Sequence, residues 1–476
     1  MRAVDLDPAD WDDFRELSHK ALDSMIDHLQ TIRSQPVWRQ APESVRQRFH
    51  TSLPRQPREF REVLVDFETY VRPYVTGNTH PLFMGWVHGA GTPVGMIGEL
   101  LASGLNANCG GRNHVAIDVE RQITGWVGET LGFPAGSTGL FLTGSSMANF
   151  VGLLVAKTKK FGPDGRRRGV RLDRQRPIAY ASKEAHQCIS QAMELAGLGS
   201  DNLRLIDTDA SRALKPDALA TAIERDIAAG YTPFLAVGTA GTVNTGAIDP
   251  LEAIADICKA RGLWFHVDGA IGAAATLSAE LRPLMKGIER ADSVALDFHK
   301  WTHVPYDAGF VIIADPLVHL QTFSSEAAYL SRAGKGLAAG EVWPCDLGPD
   351  LSRSFRALKT WFAFETFGAD RIGACMAHNC ATARYLAARL GADGLFEVRA
   401  PVALNIVCFG VKAAGLDELN RKIVEDLHTS GEAAPSLTFL DGRPVLRAAI
   451  VNHRTTKHDI DVFVSALNER VATLQT

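Results

Sequence analysis

The sequence predicts an α/β fold, with a mainly parallel sheet carrying helices on both faces, an N-terminal helical segment ahead of it and a small α+β domain behind. Three observations carry this. Between about 140 and 314, short apolar runs alternate with segments of helical period, the pattern of strands joined by crossovers. Ahead of that region apolar residues recur at helical spacing, and beyond about 376 strand and helix patterns mix within a short stretch. A chain of 476 residues exceeds one ordinary core, and the divisions expected are 1–82, 83–375 and 376–476.

In the first segment, Phe14, Leu17, Ala21, Met25, Ile26 and Leu29 mark a helix over about 10–34, with Pro8 just before it. A second helix is expected over 57–71, after a proline-rich loop. The stretch from His80 to Pro93 mixes glycine with aromatic residues, the composition of a packed loop lining a cavity. A helix over 94–105 leads into a polar stretch, 106–114, that contains Asn108, and a helix over 115–131 follows.

The region of alternation opens with a strand at 140–142 running into Thr143-Gly144-Ser145-Ser146-Met147-Ala148-Asn149 and a helix through Lys160. Strand, hydroxyl-rich turn and helix start can hold a phosphate through free N–H groups, hydroxyls and the positive helix end; a plain N-cap by Ser145 or Ser146 fits the same residues. Strands are expected at 177–180, 203–206 and 234–238, with helices at 216–229 and 251–260. His186 falls just inside a helix expected after the first of these strands. Thr242 and Asn244 lie in a small-residue loop that leaves room for a flat ring, and Asp249 orders that loop.

Two runs organise this region. Gly262 to Ala270 is a strand ending in Asp268, followed by small residues including Ala270. Val294 to Trp301 is a strand delivering Lys300, flanked by His299 and Trp301. A helical crossover over 277–290 would return the chain to a parallel strand and set the acid and the amine at one sheet edge. Taken alone, Lys300 also reads as a surface lysine at a strand end. Pyridoxal phosphate needs such a pair: an amine to bind its aldehyde and an acid to keep its ring nitrogen protonated.

The words HVDGA and DFHKW, with TGSSMAN and EAHQCIS before them, resemble the fold-type I, group II pyridoxal-phosphate decarboxylases, a family that includes aromatic-amino-acid, glutamate and diaminobutyrate decarboxylases. The resemblance runs from about Asp10 to the last helix. It implies α-decarboxylation of an L-amino acid to the amine and carbon dioxide, with pyridoxal 5′-phosphate as cofactor. It implies Lys300, His186 and Tyr329 as catalytic residues, and Ser145, Ser146, His186, Thr242, Asp268, Ala270, His299 and Lys300 around the cofactor. Trp86, His88 and Asn108 are the substrate candidates, and Tyr329 belongs to a loop over the neighbouring active site. It also implies a homodimer with the active site at the subunit interface. An aromatic substrate leads; Asn106, Asn108, Arg112 and His114 suit a polar or acidic one, and an aldehyde synthase is the close rival reaction.

Composition bounds the rest. With 46% hydrophobic and 22% charged residues the chain reads as globular rather than disordered. A formal charge of −4 without a basic stripe argues against nucleic acid, and Arg166-Arg167-Arg168 is expected to be a solvated loop. Absence of a long apolar run and an acidic start predict a cytoplasmic protein without a membrane span. The seven cysteines show no metal-site spacing and are expected to be buried thiols, with no metal bound. The basic residues of 352–361 suit either phosphate across an interface or a solvated helix face.

Overall fold

The apolar runs of the central region form a seven-stranded sheet in the computed structural model, which describes residues 5–324, 333–340, 342–412 and 417–474. Its strands are β1 (Thr138–Leu142), β2 (Pro177–Ser182), β3 (Leu203–Ile206), β4 (Thr232–Thr239), β5 (Trp264–Asp268), β6 (Ser293–Asp297) and β7 (Gly309–Ile313), in the order β1-β7-β6-β5-β4-β2-β3. Strands β3, β2, β4, β5 and β6 are parallel, whereas β7 runs antiparallel to both β6 and β1. The sheet core is buried on both faces, which is why these strands read as continuous apolar runs such as Phe234-Leu235-Ala236-Val237.

Register sets the functional edge. Thr239 at the end of β4 lies opposite Asp268 at the end of β5, and Asp268 opposite Ala295 in β6. Lys300, three residues beyond β6, is therefore carried to the same carboxyl edge as Asp268. The connection between β5 and β6 differs from expectation. In place of a helix over 277–290 it makes three short turns, Gly272–Leu277, Arg282–Met285 and Ile288–Arg290. Pro283 and Gly287, the latter at φ +100°, prevent a continuous helix.

The helix Ser145–Arg168 bends at Gly162, where φ is +70° ahead of Pro163, so the expected end near Lys160 marks a kink. Arg166, Arg167 and Arg168 are exposed as expected but end the helix rather than form a loop, and the Arg166 guanidinium donates to the carbonyls of Gln321 (2.9 Å) and Phe323 (2.9 Å), closing the helix Pro316–Phe323. The basic residues of 352–361 do not form a solvated helix face. Arg353 pairs with Glu120, Arg356 with Asp307 and Lys359 with Glu99. Five cysteines are buried as expected, whereas Cys345 and Cys375 are only partly covered.

Beyond the helices Arg356–Phe367 and Ala369–Asp393 lies a four-stranded antiparallel sheet, β8 (Phe396–Val398), β9 (Ile406–Val411), β10 (Ser436–Leu440) and β11 (Arg443–Ala449), ordered β10-β11-β9-β8. The helices Asp417–Ser430 and Lys457–Leu474 cover it around Phe409, Leu446, Ile423 and Phe463. At the other end, Trp11–Gln30 and Phe60–Asp66 form the helical segment and leave Trp11, Val63 and Val65 exposed. Among the described residues no helix is long and apolar enough to cross a membrane, and no cluster of side chains suits a metal ion.

Candidate active site

Four sheet elements and one helix start converge on Lys300. Its Nζ lies 2.8 Å from Asp297 Oδ2. The same carboxylate accepts the N–H (2.6 Å) and the hydroxyl (2.7 Å) of Ser145 at the start of the 24-residue helix. Burial alone would raise the Asp297 carboxyl, but Lys300, His299 and Ser145 outweigh it and hold it below its usual range. Burial likewise opposes the Lys300 ammonium, and Asp297, with Asp268 behind it, more than compensates and raises its pKa. Asp297 stands inside the word DFHKW, yet the sequence reading assigned it nothing.

Asp268 is buried, and burial pushes its carboxyl up against the pull of Lys300, the Ala270 N–H, His186 and Asn149. Ala270 donates to Asp268 Oδ1 at 3.2 Å. His186 sits in the turn after β2, two residues before the helix Cys188–Leu195 rather than inside it, and its Nδ1 accepts the Cys188 N–H (3.2 Å). That leaves the proton on Nε2. Burial keeps the ring neutral, although Asp268 favours its charge.

His299 is fixed from both sides. Its Nδ1 accepts the Ala308 N–H (3.0 Å), which puts its proton on Nε2, 3.7 Å from Asp297. Tyr306 lies over the ring at 4.3 Å between centroids. The Tyr306 hydroxyl accepts the Gly89 N–H at 3.3 Å, and an aromatic string runs on from Tyr306 to His88 (6.2 Å), Phe83 (5.7 Å) and Trp86 (6.0 Å). Burial first, then the Lys300 charge, lowers the His88 pKa, whereas Trp86 is half exposed and lines a neighbouring cavity with Trp38, Tyr74 and His428.

Other candidates are engaged elsewhere. Asn108 Oδ1 accepts from Gly110 (2.9 Å) and Arg353 (3.1 Å) and braces its own loop. The Thr242 hydroxyl accepts from Ala247 (3.1 Å) and meets Thr245 (3.1 Å). Asn244 bonds Thr438 (2.8 Å) and its loop is tied to the small sheet by Arg447 on the Val243 carbonyl (2.7 Å). Asp249 orders the loop, accepting from Leu214 (2.7 Å) and Thr239 (2.8 Å), and burial pushes it up to about 6. Tyr329 lies outside the described residues.

An amine, an acid and an uncharged imidazole at one strand edge fit pyridoxal phosphate, and two further features agree. Buried Thr239 Oγ1, beside Asp268 in register, has no hydrogen-bond partner among the described residues. A methyl at Gly144 would lie 3.6 Å from His299 Cε1 and 3.8 Å from Asp297 Oδ1, so this glycine keeps the space over the helix start open.

Residues 42–412 match the family model described as the pyridoxal-dependent decarboxylase conserved domain. The aromatic-L-amino-acid decarboxylase of Bacillus atrophaeus is 32% identical over 478 residues, covering 97% of this chain and 96% of that one. Tyrosine decarboxylase 4 of Petroselinum crispum is 30% identical over 461 residues, covering 92% and 89%. The crystal structure of Oryza sativa TDC with PLP and tryptamine superposes with a TM-score of 0.89 at 26% identity, covering 99% of this chain and 100% of that one.

Proposed function

Because the chain belongs to the pyridoxal-dependent decarboxylase family and is a pyridoxal-phosphate-dependent amino-acid decarboxylase, we propose that it acts on an aromatic L-amino acid, as a cytoplasmic homodimer. The observation that carries the substrate class is the string from Tyr306 through His88 and Phe83 to Trp86, a wall of flat rings leading away from Lys300. The aromatic-L-amino-acid and tyrosine decarboxylases among the relatives support it. For the dimer, the support is apolar surface: Leu100, Leu101 and Leu105 on the helix Pro93–Leu105, and Trp11, Val63 and Val65 in the N-terminal segment, all exposed in the single chain. The divisions 1–82, 83–375 and 376–476 remain our proposed domains.

When bound, pyridoxal phosphate supplies a protonated ring that accepts the electron pair left on Cα as carbon dioxide departs. The residues around it do the rest. Lys300 is the amine that would hold the cofactor's aldehyde carbon, and Asp297 at 2.8 Å holds the free amine as an ammonium. Asp268 would hold the ring nitrogen in its protonated form, and Ala270 follows it without bulk. His186 would hold the cofactor ring with its neutral imidazole. Ser145 spends its one hydroxyl proton on Asp297, so Ser146, the helix start and His299 Nε2 would supply the donors for the phosphate. Thr242 shapes the loop beside the ring. Trp86 and His88 align the substrate side chain, and Asn108 keeps the adjoining loop in place. Tyr329 returns a proton to Cα.

The test is to give the cofactor-loaded protein each common amino acid plus dopa and diaminobutyrate and to follow carbon dioxide and the organic product. Equal amounts of amine and carbon dioxide from an aromatic substrate are expected. Preference for glutamate or diaminobutyrate would overturn the substrate class. Tyr329→Phe is expected to divert product from amine to aldehyde with ammonia and peroxide, read by mass and a peroxide assay; amine alone would remove the tyrosine from its role.

A further inference from the structure

A buried polar line runs beneath Asp268, and the steps described so far leave most of it unused. Trp264 Nε1–H donates to Ser293 Oγ at 2.7 Å. Ser293 Oγ lies 2.7 Å from His266 Nδ1, and His266 Nε2 lies 2.7 Å from Asn149 Oδ1. Chemistry fixes the direction of every bond. An indole only donates and an amide oxygen only accepts, so His266 carries its proton on Nε2. Its Nδ1 is then a lone pair that accepts the Ser293 hydroxyl, while the oxygen of that hydroxyl accepts from Trp264.

The line therefore holds the Asn149 amide in one orientation. Its carbonyl is bound to His266 and its N–H end donates to Cys188 Sγ at 3.4 Å; His266 and Asp268, two residues apart on β5, share the face on which Asn149 sits, and the amide pulls the Asp268 carboxyl down. His266, Asn149 and Ser293 are all buried, and burial takes the His266 pKa down to about 3, so the line does not change state at working pH. The helix Ser145–Arg168 is shaped for it. Asn149 and Gly152, one turn apart, face β5 together; a methyl at Gly152 would lie 2.6 Å from His266 Cε1. One position supplies the contact and the other vacates the space.

We infer that His266, acting through Asn149 and braced by Ser293 and Trp264, is a positioning residue that keeps the Asp268 carboxylate oriented and ionised for the cofactor's ring nitrogen. The inference rests on the reading of this site as the pyridoxal phosphate site. The other groups facing Asp268 are Lys300 after β6, His186 after β2, the Ala270 N–H, the Cys188 thiol and, more weakly, Asp249, whereas the hydrogen bonds of His266 go to Ser293 and Asn149. Without the imidazole, the Asn149 amide is free to rotate and present its oxygen to a buried carboxylate, which repels it.

His266→Gln and His266→Phe separate the roles. Glutamine carries a donor and an acceptor at its tip, whereas phenylalanine fills the volume and offers neither. His266→Phe apoprotein is expected to bind pyridoxal phosphate about 10-fold more weakly in an absorbance titration. Its bound cofactor should also lose its ring-nitrogen proton at lower pH, seen as a displaced pH profile of the absorption spectrum. His266→Gln should stay near wild type in both. Equal behaviour of the two variants, with normal loading of the wild type, would overturn the inference alone. A wild-type protein that takes up no cofactor would overturn the site reading and the inference with it. Should His266→Phe lose its fold by circular dichroism, Ser293→Ala decides: a smaller shift in the same direction is expected, and none would sink the idea.

Discussion

Lys300→Ala is expected to lower kcat by on the order of 10⁴-fold, while Lys300→Arg loses as much turnover but keeps the stability that alanine forfeits. The two substitutions divide the lysine's two jobs. Alanine removes the amine that anchors the cofactor and the cation that Asp297 holds at 2.8 Å; arginine removes only the first. The sign of the pH dependence follows from the shifts. Lys300 is raised in the folded protein, so its contribution is complete below the unfolded value near ~10.4 and is lost as pH rises through the folded one. Asp297 is lowered, so its contribution is present above ~3.9 and is lost as pH falls through the folded value. The pair thus stabilises the protein between those limits. In apoprotein melts, the gap between wild type and Lys300→Ala should be widest near neutral pH and close in acid, where both carboxyls are protonated. A Lys300→Arg enzyme with near-normal turnover would contradict the assignment of the anchoring amine.

What the sequence made legible follows from how local each signal is. Strands buried on both faces announce themselves as apolar runs, and β3 and β7 end where the composition places them, at Leu203–Ile206 and Gly309–Ile313. The amine and the acid were legible because each sits at the end of such a run. The three-residue strand β8 offers too little pattern to be seen. The expected helix over 277–290 failed because Pro283 and Gly287 outweigh an otherwise suitable periodicity. Side-chain partners were the least legible. Nothing local tells Asp297 that Ser145, 152 residues earlier, will donate to it twice, or that His266 will meet Asn149, 117 residues away. Both residues stand inside quoted motifs, so the motif located them and only the fold revealed their work. Tyr306 had no motif, and its place beside His299 depends on the turn before β7.

The same long-range pairing leads to the second large effect. Arg353 looked like part of a basic helix face, but it precedes the helix Arg356–Phe367 and is buried against Glu120. Its Nη2 donates to Glu120 Oε1 (2.6 Å) and the Phe141 carbonyl (2.8 Å), and its Nη1 to Glu120 Oε2 (3.1 Å) and the Cys109 carbonyl (2.9 Å). Glu120 in turn accepts the Phe141 N–H at 3.1 Å. One guanidinium therefore joins the loop before the helix Val115–Leu131, that helix, and edge strand β1. Arg353→Ala leaves the Glu120 carboxylate buried without its cation, and a loss of about 3–5 kcal/mol is expected in denaturant unfolding. Arg353→Met with Glu120→Leu should recover most of it, because two apolar side chains of similar size need no partners. Lys359→Ala provides the contrast. Glu99, its partner at 2.7 Å, is half exposed, so water can take over the freed charge and only the packing of the buried lysine stem is lost, a smaller cost than for Arg353→Ala. A cost for Arg353→Ala no larger than for Lys359→Ala would mean that the three elements are held by packing alone.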